Sequence, residues 1–293
     1  MFSTKHFSVL LNESIEALNV KPNSYYIDCN LGGGGHTYQI LKKGGKVISF
    51  DLDQKAVDHC SEIFRSAIQK GDLKIFNKNF SELEQVVEQL GLSKKIDGVL
   101  YDLGLSTFQL REEKKGFSFE DETQLDMRFG DQIGPKAEDL IRVLNVKQLA
   151  DLFFKYGEEP QSKVFAQAIK NFVDQRGFRS FTAKEVADVI KKSSKYEASR
   201  IHPATRVFQA LRIAVNREFE NLEESLAQSS SMIAKNGRIV IISFHSLEDQ
   251  IAKNLEKRSD LIAITRSPIV PSDDEIIENF SSRSAKMRIY EKL

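Results

Sequence analysis

Four short runs rich in β-branched and aromatic residues punctuate the first part of the chain: SYYIDC (24–29), KVISFD (46–51), LKIFNKNF (73–80) and IDGVLYDL (96–103). Longer stretches with helical spacing separate them, and a strand, helix, strand succession brings the chain back to a sheet in the same direction. The fold class is therefore α/β with a parallel sheet. After Asp102 the rhythm breaks, because residues 105 to about 200 are charge-rich and helical in pattern. LIRVLNVKQLADLFFKYG (140–157) and KVFAQAIKNFVDQ (163–175) each repeat apolar residues at three- and four-residue spacing, which marks an inserted helical subdomain. Strand character returns with GRIVIISFH (237–245), a nearly continuous apolar run suited to a strand covered on both faces, and LIAITRSPIV and AKMRIYEKL supply closing strands. The expected division is a core from 1–104, an insertion from 105–200 and the second part of the core from 201–293.

The chain has 293 residues, 41% apolar and 29% charged, which suits a folded protein with a sizeable core. No run approaches the ~18 apolar residues of a membrane span, and the N-terminal stretch lacks the organisation of a signal peptide, so a cytoplasmic location is expected. Cys29 and Cys60 are too few for a disulfide framework and lack metal-ligand spacing. Lys and Arg balance Asp and Glu at 42 each, but from Arg176 to Arg217 ten basic residues face three acidic ones. A local basic face is one reading of that excess, and a solvated helical surface is the other.

The stretch IDCNLGGGGHT (27–37) follows the first strand with four glycines, which permit positive φ and close approach of backbone N–H groups to a ligand. The dinucleotide fingerprint G-x-G-x-x-G is incomplete, since Thr37 or Tyr38 falls where its third glycine belongs. An acid four residues before Gly32, Asp28, followed by a turn containing Gly34, is instead similar to the first motif of Rossmann-like methyltransferases, which bind S-adenosylmethionine (AdoMet). Asp51 ends the second strand, where a carboxylate can accept hydrogen bonds from both ribose hydroxyls, with Asp53 as its competitor for that role. Phe80 offers an aromatic edge to an adenine or a ring to the core. Asp102 ends the fourth strand at the carboxyl edge, as a ligand contact or as a helix cap.

HPATRVFQALRIAVNREFENLEESL (202–226) reads as an amphipathic helix. Val207, Phe208, Leu211, Val215, Phe219, Leu222 and Leu226 share one arc, and Arg206, Gln209, Arg212, Asn216 and Glu220 the adjoining one. Such donors suit phosphates and base edges, although a solvated face carries polar residues too. In SFHSLED (243–249), Ser246 and Asp249 have capping-box spacing, which leaves His245 just past the strand without a structural duty.

Together these stretches resemble the MraW/RsmH family of 16S ribosomal RNA cytosine-N4 methyltransferases. The likeness runs through HFSVLLNE (6–13), IDCNLGGGGHT, SFDLD, DGVLYDLGLS, KGFSF, LDMRF, YGEE, HPATRVFQALRIAVN and ISFHSLEDQ to RSAKMR (283–288). It implies a Rossmann-like class I AdoMet-dependent methyltransferase core interrupted by a helical domain. It also implies methyl transfer to the exocyclic amine of a cytidine in the small ribosomal subunit. Carried over by motif, the AdoMet contacts are Gly34, Gly35, His36, Asp51, Phe80, Asp102 and Gln109. Asp102, or the backbone carbonyl beside it, is the candidate proton acceptor, with His245 second. His202, Arg206, Gln209, Arg212 and Asn216 are the candidate RNA contacts. No metal is expected, because transfer from a sulfonium needs none; a homodimer is left open. Cys29 and Asn30, STFQLR (106–111) and NFSSRS (279–284) depart from the usual family pattern. An NAD-dependent dehydrogenase and a noncatalytic RNA-binding factor are the competing readings.

Overall fold

The computed structural model of the protein describes residues 8–104, 115–130, 134–195 and 202–293. The chain divides into two compact units, one of residues 1–106 and 219–293 and the other Thr107–Glu218.

The first unit begins with helix α1 (Leu11–Ala17) and then alternates β1 (Tyr25–Asp28), α2 (Gly35–Lys42), β2 (Lys46–Asp51), α3 (Gln54–Ile63), α4 (Arg65–Lys70), β3 (Leu73–Asn77), α5 (Leu83–Gln89) and β4 (Ile96–Asp102). The four expected strands are present. β3 stops short of its expected end, because the Asn79 side chain accepts a hydrogen bond from Ser81 N (2.9 Å) and starts a 3₁₀ turn at Phe80.

The second unit holds α6 (Ala137–Val143), α7 (Val146–Gly157), α8 (Ser162–Arg176), α9 (Ala183–Ser193) and α10 (Thr205–Asn216). The 140–157 stretch is broken into α6 and α7 by Asn145, which caps α7 in a reciprocal box with Gln148. Helix α10 packs on α7 so closely that a Cβ on Gly157 would collide with the Arg206 carbonyl. It therefore belongs to the inserted unit, whose second boundary falls at Glu218 rather than near residue 200. The 202–226 stretch is not one helix: Arg217 adopts φ 50°, which ends α10, and a new helix α11 (Glu218–Met232) follows.

The first unit resumes with α11 and continues through β5 (Ile233–Ser243), α12 (Ser246–Lys253), β6 (Leu261–Ala263), α13 (Asp273–Glu278) and β7 (Lys286–Lys292). The strands form one sheet in the order β3-β2-β1-β4-β5-β7-β6, with β7 antiparallel to both of its neighbours. Of the LIAITRSPIV stretch only Leu261–Ala263 is a strand, and Ile269 adds a single bridge to Met287. Alternate residues of the central strands feed two cores. Ile27, Phe50, Val99, Tyr101, Ile239 and Ile241 pack beneath α5, α11 and α12, while Tyr26, Val47, Leu100, Val240 and Ile242 pack beneath α1 and α2. Both faces of β4 and β5 are covered, which explains the unbroken apolar runs there. The fold is thus α/β as expected, a mostly parallel seven-stranded sheet with helices on both faces. Strand order reverses between β1 and β4, so the crevice beyond their carboxyl ends is where an open α/β sheet receives a ligand.

Candidate functional site

Three carboxylates stand at that edge: Asp28 closes β1, Asp51 closes β2 and Asp102 closes β4. Asp28 is fully buried, and its Oδ2 accepts from the Thr37 hydroxyl at 2.7 Å, which in turn meets Ser49 Oγ at 2.9 Å. Thr37 thus occupies the position of the missing third glycine to tie α2 to β1 through a buried hydrogen bond. Burial raises the Asp28 carboxyl to about 7 against these hydrogen bonds, with repulsion from Asp51 adding to it.

Asp51 Oδ2 accepts from Gly32 N (2.8 Å) and Oδ1 from Asp53 N (2.9 Å). It shapes the glycine turn from the neighbouring strand. Burial lifts its carboxyl to about 6. Asp53, its sequence competitor, is not solvated: it is 2% exposed, its Oδ1 caps α3 by accepting from Lys55 N at 2.9 Å, and its Oδ2 has no hydrogen-bond partner among the described residues.

Two glycines of the turn are required by the protein itself. Gly34 has φ 79°, and a Cβ there would sit 2.6 Å from the Phe64 ring and 3.1 Å from Cys60 Sγ. A Cβ on Gly35 would strike the Ser8 hydroxyl. Helix α2 begins at Gly35, and its second residue, His36, is 3% exposed with Nδ1 3.8 Å from Asp102 Oδ2.

Asp102 keeps 22% of its side chain exposed, and its Oδ1 has no hydrogen-bond partner among the described residues. Burial, then repulsion from Asp28 and Glu248, raises its carboxyl to about 7. Its own carbonyl accepts from Gly104 N at 2.9 Å. Glu248, which the sequence reading did not single out, is 5% exposed, accepts from Phe244 N at 2.8 Å and lies 3.0 Å from His245 Nε2. His245 has a structural duty after all: it is the N-cap of α12, its Nδ1 accepting from Glu248 N at 3.3 Å. The Ser246–Asp249 capping box is therefore corrected, since the cap lies one residue earlier and Asp249 instead binds Arg288 through both oxygens at 2.6 and 3.2 Å. The signal for Glu248 was present as an acid three residues after a cap.

Phe80 packs edge-on against Tyr101, with ring centroids 5.8 Å apart. Gln109 and the STFQLR departure lie outside the described residues.

The polar arc of α10 serves the second unit internally. Arg206 Nη1 and Gln209 Nε2 donate to the Glu158 and Tyr156 carbonyls at 3.3 and 3.2 Å, at the end of α7 where helix acceptors are left over. Arg212 makes a two-pronged pair with Glu218 at 2.8 and 2.9 Å. Asn216 is 4% exposed, accepts from Phe129 N at 2.8 Å and donates to the Met127 carbonyl at 2.8 Å. His202 stacks on Phe119 at 4.6 Å and its Nδ1 accepts from Ala204 N at 3.2 Å. Burial, then nearby Lys191, holds its pKa down.

The model of the MraW methylase family matches residues 3–293. Two relatives, each named ribosomal RNA small subunit methyltransferase H and each from a strain of Dehalococcoides mccartyi, are similar over nearly all of the chain. One is 41% identical over 310 residues, covering 98% of this chain and 86% of the relative. The other is 40% identical over 315 residues, covering 100% and 88%. A solved rRNA methylase from Streptococcus thermophilus aligns over 99% of both chains at 10% identity and a TM-score of 0.47, a likeness too slight to argue from. The chain belongs to the MraW methylase family.

Proposed function

We propose that the chain transfers the methyl group of AdoMet to the exocyclic N4 amine of a cytidine in the 16S rRNA of the small ribosomal subunit. The reaction site in this reading is the edge formed by β1, β2 and β4. The observation that carries the reading is an anionic floor without a compensating cation. Among the described residues no Lys or Arg lies within ion-pair distance of Asp28, Asp51 or Asp102, burial raises all three carboxyls, and one Asp102 oxygen is unpartnered. Buried acids of one sign gathered together fit a positively charged ligand, and AdoMet is one.

Gly34, Gly35 and His36 would hold the cofactor at the turn, Asp51 its ribose, Phe80 its adenine and Asp102 its charged end, with Gln109 as a further contact. When bound, AdoMet supplies a methyl already activated by a positive sulfur, so the chain's own work is alignment and exclusion of water. Asp102 accepts the proton. A cytosine amine is a weak nucleophile because its lone pair is delocalised, and a carboxylate accepting one of its hydrogens localises that pair. Asp102 Oδ1 is available for this hydrogen bond, while His36 stands beside Oδ2. Burial raises this carboxyl to about 7 in the cofactor-free protein, and a cation bound beside it would favour the ionised, accepting form. His245, held as a helix cap against Glu248, is the less favoured acceptor.

His202, Arg206, Gln209, Arg212 and Asn216 contribute to RNA recognition by fixing the shape of the inserted unit, with exposed Arg206 the member best placed to touch a phosphate. The test is labelled AdoMet incubated with small-subunit particles, followed by mapping of the methyl mark. Label on cytidine N4 of 16S rRNA is expected, and its absence there, with AdoMet bound, would sink the assignment.

A further inference from the structure

The turn between α8 and α9 reads RGFRS (176–180), and it holds an aromatic ring where an aromatic ring is least stable. Phe178 is 104% exposed, more than any other large apolar side chain of the described residues. Gly177 adopts φ 65°, and its Cβ position meets no atom within 4 Å.

The exposure is not that of a slack loop. Arg142 Nη1 donates to the Gly177 carbonyl at 2.8 Å and its Nη2 to the Arg179 carbonyl at 2.7 Å. Arg176 Nε donates to the Ser180 carbonyl at 2.9 Å, and its guanidinium pairs with Glu185 at 2.6 Å. The same two arginines lie over the rings of Phe181 and Phe172, which meet edge to face at 5.7 Å. Phe181, 1% exposed, roots the turn in the second unit. Three carbonyls of the turn, those of Gly177, Arg179 and Ser180, are therefore held by arginine donors, and the Phe178 ring stands exposed among them. Beside it lies an open hollow lined by Arg176 and Arg179, with Asp174, Gln175 and Phe172 also in its wall.

We propose that Phe178 is a stacking platform for an unpaired base of the substrate RNA, with Arg179 beside it facing the phosphate chain. This rests on the proposed rRNA methyl transfer. Single-stranded RNA is bound where bases lie on aromatic or guanidinium planes and cations line the backbone path. One ring on a cationic turn meets that need, whereas a stable protein interface requires on the order of 1,200 Å² or more of buried surface. The clamped turn also avoids the ordering cost that a mobile loop would incur on binding.

The test compares unaltered protein with Phe178→Ala, Phe178→Trp and, as a control, Phe154→Ala, an exposed ring on α7 of the same unit (65% exposed). Affinities are measured for protein-free 16S rRNA, intact small subunits and AdoMet. Loss of one stacked base weakens RNA binding roughly 5- to 150-fold. Phe178→Ala should show that loss on both RNA probes at unchanged AdoMet affinity, while Phe178→Trp and Phe154→Ala bind like the unaltered protein. Unchanged RNA affinity in Phe178→Ala, or an equal loss in Phe154→Ala, overturns the platform and leaves the methyl-transfer reading standing. A loss confined to intact subunits overturns it in favour of a ribosomal protein contact. Failure of the unaltered protein to bind or methylate rRNA overturns the proposed function itself.

Discussion

Replacing Asp102 by Asn should stabilise the fold while abolishing methyl transfer. The Asp102 carboxyl is raised from its ordinary value near 3.8 to about 7. Each pKa unit corresponds to ~1.4 kcal/mol, so the strain ceiling is about 4 kcal/mol at neutral pH. Part of the shift is repulsion from Asp28 and Glu248, and an amide leaves a buried polar group to satisfy, so a net gain of about 1–3 kcal/mol is expected. The sign follows from linkage. A carboxyl whose folded pKa is raised favours the folded state below its unfolded pKa, and that stability is lost as pH rises from about 4 to about 7. Urea unfolding of the unaltered protein and Asp102→Asn at pH 4.5 and pH 7.5 should therefore show the variant's advantage at pH 7.5 and little difference at pH 4.5. Single-turnover transfer measured beside AdoMet affinity separates the lost proton acceptor from lost cofactor binding. Equal stability at both pH values, or a variant that transfers methyl at the normal rate, refutes the reasoning.

A cationic ligand over Asp28, Asp51 and Asp102 should lower their pKa values, so AdoMet binding near pH 6.5 should release protons; calorimetry in buffers of different ionisation enthalpy reads this directly, and a buffer-independent heat contradicts it. Gly34→Ala forces a side chain onto φ 79° and into the Phe64 ring, so it should lower stability by about 1–3 kcal/mol and weaken AdoMet binding, as seen in thermal melts with and without the cofactor. Asn216→Ala strands the Phe129 N–H and the Met127 carbonyl, and should cost about 1–3 kcal/mol in denaturant titration while AdoMet affinity stays unchanged.

What the sequence made legible was local. The strand ends that carry Asp28, Asp51 and Asp102 are marked by apolar runs terminating in an acid, and the turn by its glycines, so most of the acidic edge is legible in the sequence. What was hidden depended on partners far along the chain. Gly34 lacks a side chain because of Phe64, thirty residues away, and Gly35 because of Ser8, so the glycine run records internal packing as well as ligand approach. His245 looked idle because a histidine cap is rarer than the Ser, Thr, Asp and Asn caps that a sequence advertises.

The polar arc of α10 shows why a donor pattern alone cannot distinguish an RNA contact from a structural one. Arginine, glutamine and asparagine on one helical face serve a phosphate and the leftover carbonyls of a neighbouring helix by the same chemistry. Here the acceptors at Tyr156 and Glu158 lie about fifty residues earlier in the chain. Engagement is therefore the discriminating property. Arg212 and Asn216 are closed into pairs that RNA would have to break at a cost of about 1–3 kcal/mol each, whereas Phe178 has no internal contact to lose. If the proposed platform holds, the clamped turn carries more of the nucleic-acid recognition than the helix face, and substitutions of the two regions should part company. Those on the turn should reduce RNA affinity at constant stability in binding and denaturant titrations, and those on the face should reduce stability first.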